Sequence, residues 1–374
     1  MRDFALEVFF SKWEFAARYH LTASDAQSMT LGELLALGDG EDRERWESLW
    51  LGYTETYGAP WLRALIASTY GAVAADQVLV CVGAQEALHV AMHALLGAGG
   101  GDHAIVVVPN YQSAETIPLG LCDVSGVALD GERGWTLEID AVRAAIRPNT
   151  RLVSINFPNN PTGKLLERDR FDALVALCRS RGIWLFSDEV YRLIERDPAR
   201  RLPQVADVYE RGVSLNVMSK AYGLPGLRLG WIAAQDRAVL QRMERIKHYL
   251  SICNPAPSEV LAGIALKARE TILGRNRALA AGNLELLTCF FDDFADRFDW
   301  ALPDGGVVAF PRYRGAEGVE AFAAALVEQV GVLLLPASVY RSELMPTPAD
   351  RFRIGYGRAG MAEGLAAFRA FLSK

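Results

Sequence analysis

Ser214-Leu215-Asn216-Val217-Met218-Ser219-Lys220-Ala221-Tyr222-Gly223-Leu224-Pro225-Gly226-Leu227-Arg228-Leu229-Gly230-Trp231 is the stretch from which the rest of the chain can be read. Its first half is an apolar, strand-like run that ends on a lysine. Its second half is a loop punctuated by glycine and proline that holds one arginine. A desolvated lysine with a cation nearby loses its proton more easily and becomes a nucleophilic amine, the group that forms a Schiff base. The competing reading is a solvated lysine in a connecting loop, and the context of the whole segment weighs against it.

Outward from this segment, strand-like and helix-like runs alternate from about residue 60 to 235. Continuous apolar runs at 77–82, 104–108, 151–156, 182–186 and 213–218 predict strands, and the stretches 85–96 and 169–180 predict amphipathic helices. Strands that are apolar throughout are buried on both faces, so the pattern predicts a mainly parallel sheet covered by helices. A short apolar run at 231–234 follows the lysine loop, then a charged helical stretch to about 249 and a helical region over 258–296. Beyond 300, short strands at 300–310, 331–336 and 351–356 mix with helices at 317–329 and 361–372, an α+β pattern. The glycine-rich 97–102 reads as a helix-to-strand loop. The expected division is an N-terminal arm over 1–45 packing with the small domain, a large domain over 46–280 and a small domain over 281–374.

With 374 residues, about half of them apolar, the chain is too long for one ordinary core. A net charge of -6 without basic blocks gives no sign of nucleic-acid binding. Cys81, Cys122, Cys178, Cys253 and Cys289 are scattered and form no CxxC pair, which suits a reduced, cytoplasmic setting. Asp3, Glu7 and Lys12 interrupt the first apolar stretch, so it does not read as a signal peptide, and no apolar run is long enough to span a bilayer.

Open α/β sheets bind ligands beyond the carboxyl ends of their strands. After 77–82, Gly83-Ala84-Gln85 opens a helix, whose free N–H groups and dipole favour a phosphate; a plain tight turn fits equally well. After 104–108 comes Pro109-Asn110-Tyr111, where an aromatic is ordinarily packing. After 151–155 comes Asn156-Phe157-Pro158-Asn159-Asn160-Pro161-Thr162-Gly163, rich in turn formers. After 182–187 comes Asp188-Glu189-Val190-Tyr191, and a carboxylate buried there needs a cationic partner. Strand alternation turns Glu189, the competing carboxylate, to the other face. The fifth strand end carries Lys220. His89 and His93, four residues apart on a predicted helix, lack a third metal ligand, and packing is the better reading. Phe9, Phe10 and Trp13 fit either a substrate entrance or an amphipathic packing stripe.

In order and spacing, these segments resemble the fold-type I pyridoxal-phosphate enzymes, the class I/II aminotransferase superfamily. The resemblance spans most of the chain. It implies an α/β fold of the aspartate aminotransferase type: a mainly parallel, seven-stranded sheet in the large domain beside a smaller α+β domain. It implies pyridoxal 5'-phosphate as cofactor, joined to Lys220 as an internal aldimine, with Arg228 and the Gly83, Ala84 and Gln85 turn on the phosphate. Tyr111 is then the ring-stacking aromatic. Asp188 partners the pyridine nitrogen and sustains the ring as an electron sink. Asn160, in a near match to an NP-x-NPTG block with Phe157 replacing the first asparagine, donates to the phenolic oxygen beside the substrate, and Tyr191 bonds the same oxygen. Phe352-Arg353-Ile354-Gly355-Tyr356 resembles an R-x-[SG]-[FY] motif whose arginine pairs bidentately with the substrate carboxylate, with Arg351 and Arg358 as rivals to Arg353. Tyr53, in a Y-x4-G-x3-LR segment, implies reach to the phosphate of a neighbouring subunit and hence a homodimer with shared sites; Tyr57 is the alternative. Val217 stands where the family often has a hydroxyl, whereas Ser219 keeps the adjacent one.

The implied chemistry is amino-group transfer from an α-amino acid to a 2-oxo acid, with Lys220 as general base. The segments 7–14, 29–35, 219–231 and 305–311 also resemble capreomycidine synthase-like enzymes. Those use the same cofactor for elimination and ring closure on a modified arginine, so a lyase or cyclase is the second reading. A non-catalytic cofactor-binding sensor is the third, opposed by the presence of both Lys220 and Arg353.

Overall fold

Runs such as Val78-Leu79-Val80-Cys81 and His103-Ala104-Ile105-Val106-Val107-Val108 form strands because their branched side chains pack on both faces of a pleated layer, and every residue in the two runs is buried. A computed structural model describes residues 2–97 and 101–373; part of the expected loop at 97–102 lies outside them. The chain enters through a helix, Ala5–Trp13, and a short strand β1 (Tyr19–His20). Seven strands then build one sheet: β2 (Val78–Cys81), β3 (His103–Val108), β4 (Asp123–Ala128), β5 (Thr150–Asn156), β6 (Trp184–Asp188), β7 (Gly212–Val217) and β8 (Gly230–Ala234). Their order is β2-β8-β7-β6-β5-β3-β4.

The contacts among β3 to β7 are parallel, and β8 alone runs antiparallel, between β2 and β7. The mainly parallel sheet expected from the sequence is therefore observed. Consecutive parallel strands share one direction, so the carboxyl ends of β3, β5, β6 and β7 open on one side. The loop carrying Lys220 leaves β7 there and returns as β8.

Three local expectations are refined. β4 was not foreseen: its Asp123-Val124-Ser125-Gly126 start is polar and partly exposed, as an edge strand can be, and it shows no apolar run. Of the expected strand over 300–310, the short β10 (Val308–Ala309) is observed; another short strand, β9 (Phe298–Asp299), precedes the range, and Pro303 and the two glycines at 305 and 306 lie between. The helical region over 258–296 is two helices, Ala256–Lys267 and Arg269–Asp293. The second of these runs through residue 280.

The C-terminal strands are β11 (Arg312–Tyr313), β12 (Val332–Leu333), β13 (Leu335–Pro336) and β14 (Phe352–Gly355). β14 lies between β10 and β13, antiparallel to both. β1 pairs in parallel with β12, which ties the N-terminal segment to the C-terminal part of the chain. Alternation along β14 sends Phe352 and Ile354 one way and Arg353 the other. Phe352 joins Phe291, Phe298, Phe322 and Phe368 in an aromatic cluster with ring centroids 4.8 to 6.4 Å apart where they meet Phe352, Phe290 or one another. Full burial of such a side chain stabilises by about 1.5–3 kcal/mol, so the strand that presents Arg353 is anchored by its neighbours.

Candidate active site

At the end of β2, Gly83 opens the helix Gly83–Leu95 with φ +79°, a left-handed conformation that favours glycine. A Cβ at Gly83 would lie 2.6 Å from an Arg228 guanidinium nitrogen, so the turn is kept bare for that arginine. The first-turn N–H groups of this helix, Ala84 and Gln85 among them, have no intrahelical acceptors. Arg228 itself has φ +45°, sparsely populated for a residue with a side chain. A helix N-terminus, a bare turn and a guanidinium converge here, and that donor set fits a phosphate. Gln85 is held by a hydrogen bond of 2.9 Å from its Nε2 to Ser113 Oγ.

At the end of β6, Asp188 and Glu189 are both buried and point to opposite faces. Glu189 accepts from Val205 N at 2.9 Å and Ser214 Oγ at 3.0 Å. Burial pushes its carboxyl up to about 7. Asp188 accepts from Val190 N at 3.2 Å; burial pushes it up to about 6, while that bond and then the nearby Lys220 pull it down. Among the described residues no ion pair holds Asp188, and a buried carboxylate so placed fits a cationic ring nitrogen. Tyr191 is almost fully buried and its hydroxyl donates to the Ser24 carbonyl at 2.8 Å.

Lys220 follows β7. Its Nζ donates to Ser24 Oγ at 2.8 Å. Desolvation lowers its pKa to about 8, opposed by Asp25 and Asp188 and assisted by Arg353 and Arg358. Asp188 thus shares the Lys220 environment and Glu189 does not.

Arg353 is fully buried, and among the described residues no carboxylate pairs with it. Its Nη1 reaches Tyr340 Oη at 2.7 Å and Asn160 Oδ1 at 3.4 Å, and its Nη2 donates to Thr22 O at 2.7 Å. Among the described residues its Nε has no hydrogen-bond partner. A buried guanidinium with a spare donor fits a carboxylate. Tyr340 also donates to Asn160 Oδ1 at 2.9 Å, which leaves Asn160 Nδ2 as that residue's remaining donor. The rivals are placed differently: Arg358 pairs bidentately with Asp25 at 3.0 and 2.8 Å, whereas Arg351 lies over the Trp135 ring and donates from Nη1 to Phe310 O at 3.1 Å, its Nε also without a partner among the described residues.

Tyr111 is mostly buried, its ring 5.2 Å from that of Phe4. Phe10 lies 6.0 Å from the Arg353 guanidinium, with Phe9 against it, whereas Trp13 lies under Lys12. Ser219 is half-buried, and Val217 is buried in β7 with no polar atom to offer. Tyr53 stands apart, 85 % exposed on a cleft shared with Leu51, Val82 and Pro255; Tyr57 is half-buried. His89 and His93 lie with rings 4.3 Å apart, and among the described residues no cluster of three metal-ligating side chains occurs.

Sequence reading missed the segment 21–27. Besides Ser24 and Thr22, its Ala26 N donates to Lys220 O at 3.2 Å and its Gln27 N to Gly357 O at 2.8 Å. A Cβ at Gly355 would lie 1.8 Å from Ala23 O, which explains the glycine two places after Arg353. Tyr340 was missed as well. Neither belongs to a periodic run, so no pattern marked them.

Residues 41–367 match the family model for aminotransferase class I and II. The chain is 30 % identical to a capreomycidine synthase of Streptomyces vinaceus over 94 % of its own length and 89 % of that protein. Among solved structures it superposes on a PLP-dependent aminotransferase from Streptococcus suis 89-1591 with a TM-score of 0.92, at 28 % identity, covering 100 % of this chain and 98 % of that one. It superposes on the PLP-dependent cyclase OrfR with a TM-score of 0.89, at 25 % identity, covering 100 % and 97 %. No described helix is long and apolar enough to cross a membrane. With the family model matched over most of its length, the chain belongs to the class I and II aminotransferases, fold-type I proteins whose cofactor is pyridoxal 5'-phosphate.

Proposed function

We propose that this protein moves the amino group of an α-amino acid to a 2-oxo acid. The observation that carries the reading is the pair formed by Lys220, a half-buried amine whose pKa desolvation lowers to about 8, and Arg353, a buried guanidinium with a spare donor among the described residues. Pyridoxal 5'-phosphate, when bound, supplies an aldehyde that takes up the amino group and a ring that accepts electrons from the substrate α-carbon. The chain's own groups do the rest. Arg228, Ser219 and the Gly83, Ala84 and Gln85 turn bind the phosphate. Tyr111 supports the ring face, Asp188 neutralises the ring nitrogen, and Asn160 Nδ2 and Tyr191 address its phenolic oxygen. Arg353, oriented by Tyr340, holds the substrate carboxylate, and Asn160 lies beside it. Lys220, once free, takes the α-proton and returns it.

The division into an arm over 1–45, a large domain over 46–280 and a small domain over 281–374 belongs to the same reading. So does a homodimer in which the exposed Tyr53 reaches the partner's phosphate; its position on an open cleft supports this. The unpaired cysteines support a cytoplasmic setting.

A second reading is a PLP-dependent lyase or cyclase, favoured by the similarity to a capreomycidine synthase and to the cyclase OrfR. It needs the same lysine, ring partner and carboxylate site. One experiment separates the two: holoprotein is mixed with a panel of amino acids and no keto acid. Amino transfer predicts one keto acid released per site, then arrest. Continued turnover with ammonia or a cyclised product contradicts transfer and establishes the second reading.

A further inference from the structure

Ser24 touches two candidate catalytic side chains at once. Its hydroxyl accepts from Lys220 Nζ at 2.8 Å and its carbonyl accepts from Tyr191 Oη at 2.8 Å. It is held on both sides. Two residues before it, Thr22 O accepts from Arg353; next to it, Asp25 clasps Arg358; two residues after it, Ala26 N donates to Lys220 O. A serine hydroxyl so fixed leaves a flexible lysine one preferred resting place. Lysine has four rotatable side-chain bonds, and without such a contact its amine would be spread over several rotamers.

We propose that Ser24 is a positioning residue that receives the Lys220 amine whenever that amine is free and holds it for proton transfer. The inference rests on Lys220 being the cofactor lysine and the base, and it holds for transfer and for elimination, since both begin with loss of the α-proton. The proton leaves the substrate α-carbon, leaving its electron pair behind, and rides on Nζ until it is given back. Ser24 has no such partner while Lys220 is joined to the cofactor. Its loss should therefore slow proton transfer and spare cofactor affinity.

The test compares wild type, Ser24→Ala and Ser24→Thr, with melting temperatures to confirm the fold. The first readout is deuterium uptake at the α-carbon of the common amino acids, glycine and the L-forms of the rest, by holoprotein in D2O. Ser24→Ala should slow exchange on the order of tenfold through misplacement of the base, with the dissociation constant for pyridoxal 5'-phosphate within about twofold of wild type. Ser24→Thr should restore exchange.

The second readout needs no cofactor: the pH midpoint for labelling Lys220 by trinitrobenzenesulfonate in cofactor-free protein. Asp25, Asp188, Arg353 and Arg358 face the amine and stay in place. A hydrogen bond to an ammonium is stronger than one to a neutral amine, so the midpoint should fall by about 0.5–1 pH unit in Ser24→Ala. Unchanged exchange together with an unmoved midpoint overturns the proposal and leaves the proposed function standing. A wild type that holds the cofactor on Lys220 yet exchanges no α-hydrogen overturns both.

Discussion

Lys220, Asp188 and the Gly83 turn sit at the ends of strands; Ser24, Thr22 and Asp25 sit on a short segment that crosses in front of them. The first group is positioned by the sheet. β6 and β7 are hydrogen-bonded neighbours in parallel register, with Asp188 opposite Leu215, so the two loops that leave them start side by side. The second group is positioned by its own contacts: carbonyls at 22 and 24 and a hydroxyl at 24 each meet a site residue, and the carboxylate at 25 pairs with Arg358. A sheet end tolerates loop change because the ladder holds it. A crossing segment depends on each bond.

Substitutions in the two groups should therefore differ in kind. The largest effect belongs to Lys220→Ala. It removes the covalent cofactor link and the base together, and single-turnover rates should fall by about 10⁴-fold or more; normal turnover would sink the mechanism. Next is Arg353→Lys. A point charge cannot reproduce a bidentate fork, so kcat/KM of the amino-acid half-reaction should fall on the order of 100-fold, mainly through KM. An unchanged KM would move the carboxylate site elsewhere.

The adjacent carboxylates offer a matched pair. Asp188→Asn should slow the half-reaction by about 100-fold because the ring nitrogen loses its counter-charge. Glu189→Gln, on the opposite face, should leave the rate within about threefold and lower Tm by about 1–2 °C, as expected for about 1 kcal/mol of buried hydrogen bonding in a chain of this size. Reversed outcomes would mean that strand alternation has been misread. Among the site residues, the smallest effect belongs to Tyr340→Phe. Losing the hydroxyl that bridges Arg353 and Asn160 should raise KM about tenfold with kcat nearly unchanged.

The same contrast accounts for what could be read in advance. Buried parallel strands are continuous apolar runs, so their ends, and the chemistry at those ends, are marked in the sequence. β4 is an edge strand with a polar start and carries no such mark. β9 and β10 are two residues each, too short for a period. Asp188 was separable from Glu189 because alternation is a local rule. Ser24 was not visible, because nothing in Thr22-Ala23-Ser24-Asp25 records that residue 220 lies 2.8 Å away. Arg358 entered as a nearby rival to Arg353, which motif register favoured, and the contact with Asp25 gives Arg358 a partner of its own.

The most direct test of the account is to reduce the holoprotein with borohydride, digest it and locate the retained cofactor by mass spectrometry. The account predicts one reduced pyridoxyl group per chain, on the peptide that contains Lys220. Cofactor retained on another lysine, or on none, would contradict it.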